Sequence, residues 1–453
     1  MIIKAANKIS ELFNYLEKRI LSLFYNLVNK ILKKPHLFFV IPAVIMLIRG
    51  GKHLFFRPQL YAEDGVIWMA DAYSMGAKSI TSWYRWSAQY HTAERVFAYL
   101  SAKILPLEWQ PFIYSLAAYL IFVLMCYFLL DKKNHIVKSS RQALILAFMI
   151  GLIQNIEEMA FNFSNAVFYL GIIGVILIWR NYNSVVKNTF KYILYGIIST
   201  TLPFSIFYMP IALFRFIKNK KLDESIMLLI SFCGAILQVF ALIQTRIPKP
   251  PVILEGNILQ YFKHFIVLIF NQIVAPSLLF IFPEVNPLQL STIIISLIPL
   301  SIAFYLLLKY FVLELLSKNY KYLSLMIFNI SITLSTLYRI LINYGGSILG
   351  NIKGGSISLH GGDRYYLFAI IMLYIVVSFF LSNIPSKFRP VYLPLFISML
   401  IILISSERFF IVRPDYIDYT NEYKKAVIIY NNTGVFSAPT SPKGWGIYFK
   451  GDN

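Results

Sequence analysis

The feature that most constrains this chain is its series of apolar runs, each about 20 residues long and separated by short basic connections. That is the length an α-helix needs to cross a hydrocarbon layer of ~30 Å. The run at 112–130, for instance, ends in DKKNHIVKSSR. With 58% hydrophobic and 14% charged residues, the chain lacks the polar surface to cover such helices in water, where ordinary domains are roughly 45–50% apolar and about 25% charged. The expected fold is an all-α polytopic membrane protein with about 9–11 transmembrane helices.

The 42 Lys and Arg against 21 Asp and Glu leave a net charge of +21. In a soluble protein that excess suggests nucleic acid. Here the basic residues gather between apolar runs, the pattern of cytoplasmic loops facing anionic lipid, so a lipid bilayer and no nucleic acid is the expected partner. Cys126 and Cys233 both lie inside apolar segments, which leaves no disulfide framework and no cysteine metal site.

Loop charge sets the domain organisation. Residues 1–35 place Ile9, Leu12, Leu16, Ile20, Leu23 and Leu27 at helical spacing opposite Lys4, Lys8, Lys18 and Lys30. They read as a cytoplasmic interfacial helix without a cleavage site, or as a helix packed on cytoplasmic loops. The transmembrane domain is expected over 36–405, with outer loops at 57–111, 156–164, 245–287 and 344–364. Amphipathic helices are expected in the first of these. Residues 406–453 are left as a small, polar periplasmic tail. Between basic flanks, 190–216 holds Pro203 and Pro210 and reads as two half-helices meeting near Pro203, with one kinked helix as the alternative.

Acids beside spans on the outer face are costly to keep near hydrocarbon and are therefore the first functional candidates. Glu63 and Asp64 follow the first span in RPQLYAEDGVIW, and Glu157 and Glu158 occupy the next outer loop. Glu63 or Asp64 could act as a general base or bind a divalent cation, and the two pairs meeting beside one pocket could raise a pKa or recruit such a cation, the one cofactor these residues suggest. Helix capping and loop-tip solvation are their plain structural roles. Arg85, His91 and Arg95 in the first loop, and His360, Asp363 and Arg364 before Tyr365, supply donors on the same side. Arg forks suit phosphate oxygens. Trp68, Trp83, Trp86 and Trp109 read as an interfacial aromatic belt.

The layout of AEDG at 62–65, HTAER at 91–95, GGDRYYL at 361–367 and SPKGW at 441–445 resembles the GT-C class of polyprenol-phosphate-sugar-dependent glycosyltransferases. More narrowly, it resembles the bacterial and phage-borne Gtr serotype-conversion glucosyltransferases that modify O-antigen. The resemblance implies a bacterial inner-membrane enzyme with a cytoplasmic N-terminus and a periplasmic C-terminus. It implies inverting transfer of a hexose, most often glucose, from undecaprenyl phosphate to a lipid-linked polysaccharide acceptor such as that of lipopolysaccharide. Asp64 or Glu63 would be the base, Glu157 or Glu158 a supporting acid, and Arg95 and Arg364 phosphate contacts, with Arg85 and His91 beside them. His360, Asp363, Tyr365 and Trp445 would support the acceptor or its loops. This chain carries Glu-Asp where Asp-Glu or Asp-Asp is common in the class. A lipid-oligosaccharide flippase and an oligosaccharide polymerase are the alternatives.

Overall fold

The computed structural model describes residues 37–82, 89–153, 159, 161–244, 290–335, 367–385, 418–441 and 443–450. The N-terminal helix expected over 1–35, the loops at 245–287 and 344–364 and the span at 390–405 lie outside the described residues.

Most of the described chain is helical. α1 (Val40–Gly51) continues into a widened turn at Lys52–Phe56, and α2 (Ala70–Met75) is preceded by another at Asp64–Met69. α3 (Thr92–Ile104) leads to α4 (Gln110–Leu130), then α5 (Ser140–Gly151), α6 (Phe163–Ala166) and α7 (Phe168–Trp179). Three more follow as α8 (Val185–Ser199), α9 (Phe204–Asn219) and α10 (Leu222–Gln244). α11 (Leu290–Leu316), a helix at 320–335 and α12 (Leu367–Asn383) follow, and then α13 (Thr420–Thr433).

Two of these, counted as Leu107–Leu130 and Leu222–Gln244, are long and apolar enough to cross a membrane. α4 shows why the sequence takes that form. Pro111 sits in its first turn, where a missing N–H costs nothing, and no Gly or Pro interrupts the rest. Tyr114, Ala118, Phe122, Met125 and Leu129 are buried at helical spacing and form the face that packs on α7. α7 is apolar on all sides and is the centre of the bundle, with every residue from Tyr169 to Ile178 buried. α5 begins at Ser139, whose side chain accepts the Gln142 amide. It ends where the buried Arg49 of α1 donates to Gly151 O (2.9 Å) and Ile153 O (2.7 Å), groups no helical partner would satisfy.

The stretch at 190–216 is two helices rather than one kinked helix. α8 and α9 join at Thr200–Pro203, where Leu202 takes a left-handed φ of 57°. Pro210 lies inside α9 without breaking it. Both outer ends of the pair come together, because Arg215 of α9 reaches Asn181 ahead of α8 while Lys191 of α8 and Arg215 both meet Asp223.

The all-α expectation and the small polar tail both need correction. Val435–Thr440 (β1) and Trp445–Lys450 (β2) form an antiparallel hairpin, and with α13 they make a folded module. Alternation explains it, since Phe436, Ala438 and Thr440 and then Ile447 and Phe449 are buried on one face. That face covers the 60–73 segment. Ala62 N donates to Ser441 O (2.6 Å), Thr440 Oγ1 donates to Leu60 O (2.5 Å), and Tyr73 stacks on Phe449 at 4.8 Å. Gly65 makes the closest approach, because a Cβ there would fall 2.5 Å from Ile447 Cδ1.

Candidate functional site

Asp64, the last residue of the AED sequence, opens the widened turn and is only 1% exposed. It does not cap its own helix. Its carboxylate accepts the backbone N–H groups of Phe163 (3.0 Å) and Ser164 (2.8 Å) and the Ser164 hydroxyl (2.5 Å), all at the start of α6. Those amides belong to a helix start, where donors lack internal partners, so Asp64 ties the 57–111 segment to the α6–α7 rod across about a hundred residues of sequence. Burial outweighs these donors and, with a smaller push from the Glu63 charge, raises the Asp64 carboxyl to about 7. Glu63 itself is half-buried and precedes the turn.

The Ser164 hydroxyl also accepts the Trp68 indole N–H at 2.7 Å. Trp68 is therefore an interior residue, 1% exposed, and not part of an interfacial belt. Its ring lies 4.8 Å from that of His91, and the Arg95 guanidinium carbon sits 5.1 Å from the ring centre. His91 Nδ1 is 2.6 Å from Glu94 Oε1, and Glu94 is fully buried. Arg95 is turned toward Asp71 Oδ2 (2.9 Å) and Ser79 O (3.0 Å), both bonded by its Nη1.

The α8–α9 turn holds this group from the other side. Ala93 N donates to Thr201 Oγ1 (2.8 Å), Thr92 Oγ1 donates to Thr200 O (3.1 Å), and Leu202 N donates to Tyr90 O (3.0 Å). Gln238 of α10 exchanges bonds with the Tyr90 backbone and donates to Thr200 O. Two-sided bonding of this kind fixes the start of α3, and with it the orientations of His91 and Glu94.

Beside this group, Gln59, Leu60, Glu108, Thr420, Tyr423 and Lys424 line a cavity of about 220 Å³ between the first segment, the start of α4 and the C-terminal module. Gln59 is 6% exposed, and among the described residues neither its amide oxygen nor its amide nitrogen has a partner. A buried amide left so costs free energy unless something pairs with it.

Of the residues singled out in the sequence, Glu63, Asp64, His91 and Arg95 are thus brought together. Trp445 stands at the start of β2, paired with Thr440 of β1. Arg85, Glu157, Glu158, His360, Asp363, Arg364 and Tyr365 lie outside the described residues. Ser164 and Asp71 were missed, for no local signal joins them to partners so far away in sequence. Among the described residues no three His, Cys, Asp or Glu side chains converge as a metal-holding set.

No family model matches the chain, and no curated protein matches it. Among solved structures it is similar to an oligosaccharyltransferase from Archaeoglobus fulgidus, crystallised in complex with zinc and sulfate. The identity is 14% and the TM-score 0.32, over 83% of this chain and 52% of that one. This chain spans about half the length of that protein.

Proposed function

We propose that this chain is a polytopic membrane glycosyltransferase. In this reading it transfers a hexose, with inversion, from undecaprenyl phosphate to a lipid-linked polysaccharide at the periplasmic face of the inner membrane. The observation that carries the reading is Asp64, an acid buried at one end of the helix bundle and raised to about 7. A general base works best when its pKa lies near the operating pH.

Ser164 supplies the path to that base. A serine hydroxyl has one proton to give and two lone pairs. Its proton goes to Asp64, and one lone pair takes the Trp68 indole. The other lone pair can accept the acceptor sugar's hydroxyl proton. In the transfer, that proton passes to Ser164 Oγ as the serine proton moves to the Asp64 carboxylate. The acceptor oxygen then bonds to the anomeric carbon from the face opposite the phosphate. The bond from that carbon to the phosphate oxygen breaks, and its electron pair leaves with polyprenyl phosphate. Glu63, one residue before that turn, is the alternative base. The Gln59 cavity offers an amide donor and acceptor for sugar hydroxyls, with Glu108 and Lys424 at its edge.

Full-length protein supplied with polyprenyl-phosphate hexose and acceptor tests this reading. Asp64→Asn should abolish transfer while expression and membrane insertion persist, and full activity in that variant sinks Asp64 as the base. If Glu63→Gln is inactive where Asp64→Asn is not, the role moves one residue back.

A further inference from the structure

At the end of the bundle opposite Asp64, the loop after α4, the α7–α8 connection and the end of α9 enclose a cavity of about 1080 Å³. Six cations line it: Lys133, Arg180, Lys187, Lys191, Arg215 and Lys321. No Asp or Glu is among its described lining residues. Three acids pair with these cations from behind: Asp131 with Arg180, Asp223 with Lys191 and Arg215, and Glu224 with Arg215. Six against three leaves the site with an excess of three positive charges.

Arg215 is 2% exposed, and its Nη1 has no hydrogen-bond partner among the described residues. Arg180 Nη1 and the Trp179 indole nitrogen are likewise unpartnered there. Burial, together with the charges of Arg215 and Arg180, holds the Lys321 ammonium below its usual range. Unpaired guanidinium donors in a cationic cleft call for a multivalent oxyanion, and phosphate matches their fork.

Part of the remaining wall is hydrocarbon. Leu124, Phe128, Leu177 and Leu194 line the same cavity, as does Phe190 of α8, which is 69% exposed. Phe190 continues into an exposed stripe with Val186 (64%) and Ile193 (56%), spaced four and three residues away on one face of α8. A ligand suited to both walls has a phosphate head and an apolar tail lying along that stripe.

We propose that this cavity binds the phosphate head group of an anionic lipid. The site is separate from the Asp64 group and does not depend on the transferase reading. Pairing with Arg215 and Arg180 would relieve the cationic excess and join α4, α7, α8 and α9 through one ligand.

Purified full-length protein, titrated with phosphatidylglycerol or phosphatidylcholine and followed by native mass spectrometry and thermal unfolding, tests the site. Phosphatidylglycerol should bind at least about tenfold more tightly than phosphatidylcholine and raise the unfolding midpoint. Lys133→Gln/Lys187→Gln, both at exposed positions, should cut that preference to within about threefold, on the order expected for two basic contacts to an anionic head group. Arg215→Gln should do the same, but its ion pairs also hold the fold, so the lysine pair is the deciding variant. Lys220→Asn/Lys221→Gln, exposed at the same end but outside the cavity, should keep the preference. Equal binding of the two lipids overturns the proposal, as does a preference that survives Lys133→Gln/Lys187→Gln. Equal loss from the Lys220/Lys221 variant overturns it too, by assigning the effect to general surface charge. Millimolar inorganic phosphate that reproduces the shift and displaces the lipid overturns the lipid assignment.

Discussion

At the scale of single residues, Asp64 sets two pH dependences of opposite sense. Its carboxyl ordinarily loses its proton near 3.8 and here does so at about 7. Between those values the native protein holds a proton that the unfolded chain has released, so the contribution to stability is complete below about 3.8 and is lost as pH rises through about 7. Unfolding midpoints should therefore fall for the wild type relative to Asp64→Asn as pH rises from 5 to about 7 and level off above it. Activity runs the other way, because only the carboxylate accepts a proton, and kcat/KM should rise with pH to a plateau above about 7. A profile flat from pH 5.5 to 8.5 would remove Asp64 from the proton path. Ser164→Ala, which interrupts the relay, should lower kcat by about 10²–10⁴, and Ser164→Thr, which keeps the hydroxyl, should recover most of it. The candidacy of Asp64 was legible because an acid beside an apolar run is unusual. Ser164 and Trp68 were not, since the bond joining them spans 96 residues and leaves no mark in either neighbourhood.

At the scale of elements, the decisive contact is between the turn that carries Asp64 and the C-terminal hairpin. Gly65 lies so close to Ile447 that an added methyl must displace the Ile447 side chain, which is itself buried in the hairpin's packed face. Gly65→Ala should cost about 1–3 kcal/mol through overpacking and expose the 418–450 module to protease. Ile447→Ala should cost about 2–5 kcal/mol through the cavity it leaves. The double variant should be more stable than the sum of the two losses implies, because the second change opens the space the first one needs. Simple additivity in thermal or denaturant unfolding would mean that the two residues do not meet. The module was read as a polar tail because its strands are six residues each and bury only alternate side chains, too short a pattern to stand out without the surface it covers. The α8–α9 pair was legible by contrast, for Pro203 between basic flanks marks both the break and the shared end.

At the scale of the whole molecule, α4 relates the two sites. Its 21 residues span about 31 Å, the thickness of a bilayer's hydrocarbon core. Glu108 of the Gln59 cavity stands just before its first residue, and Lys133 of the cationic cavity just after its last. If the chain is polytopic as proposed, a lipid phosphate held at the cationic end and a sugar transferred at the Asp64 end face opposite sides of the membrane, which is the sense of the positive-inside rule. This is testable without any assay of activity. With Cys126 and Cys233 replaced by Ala, Glu108→Cys in intact cells should react with a membrane-impermeant maleimide, and Lys133→Cys should react only after permeabilisation. Both positions are exposed, so accessibility to the reagent is decided by the membrane and not by the fold. Labelling of both from one side would mean that α4 does not span. It would remove the outer-face setting of the transfer reaction, but the lipid-phosphate site, which rests on its own cations, would then be judged by the binding experiment alone.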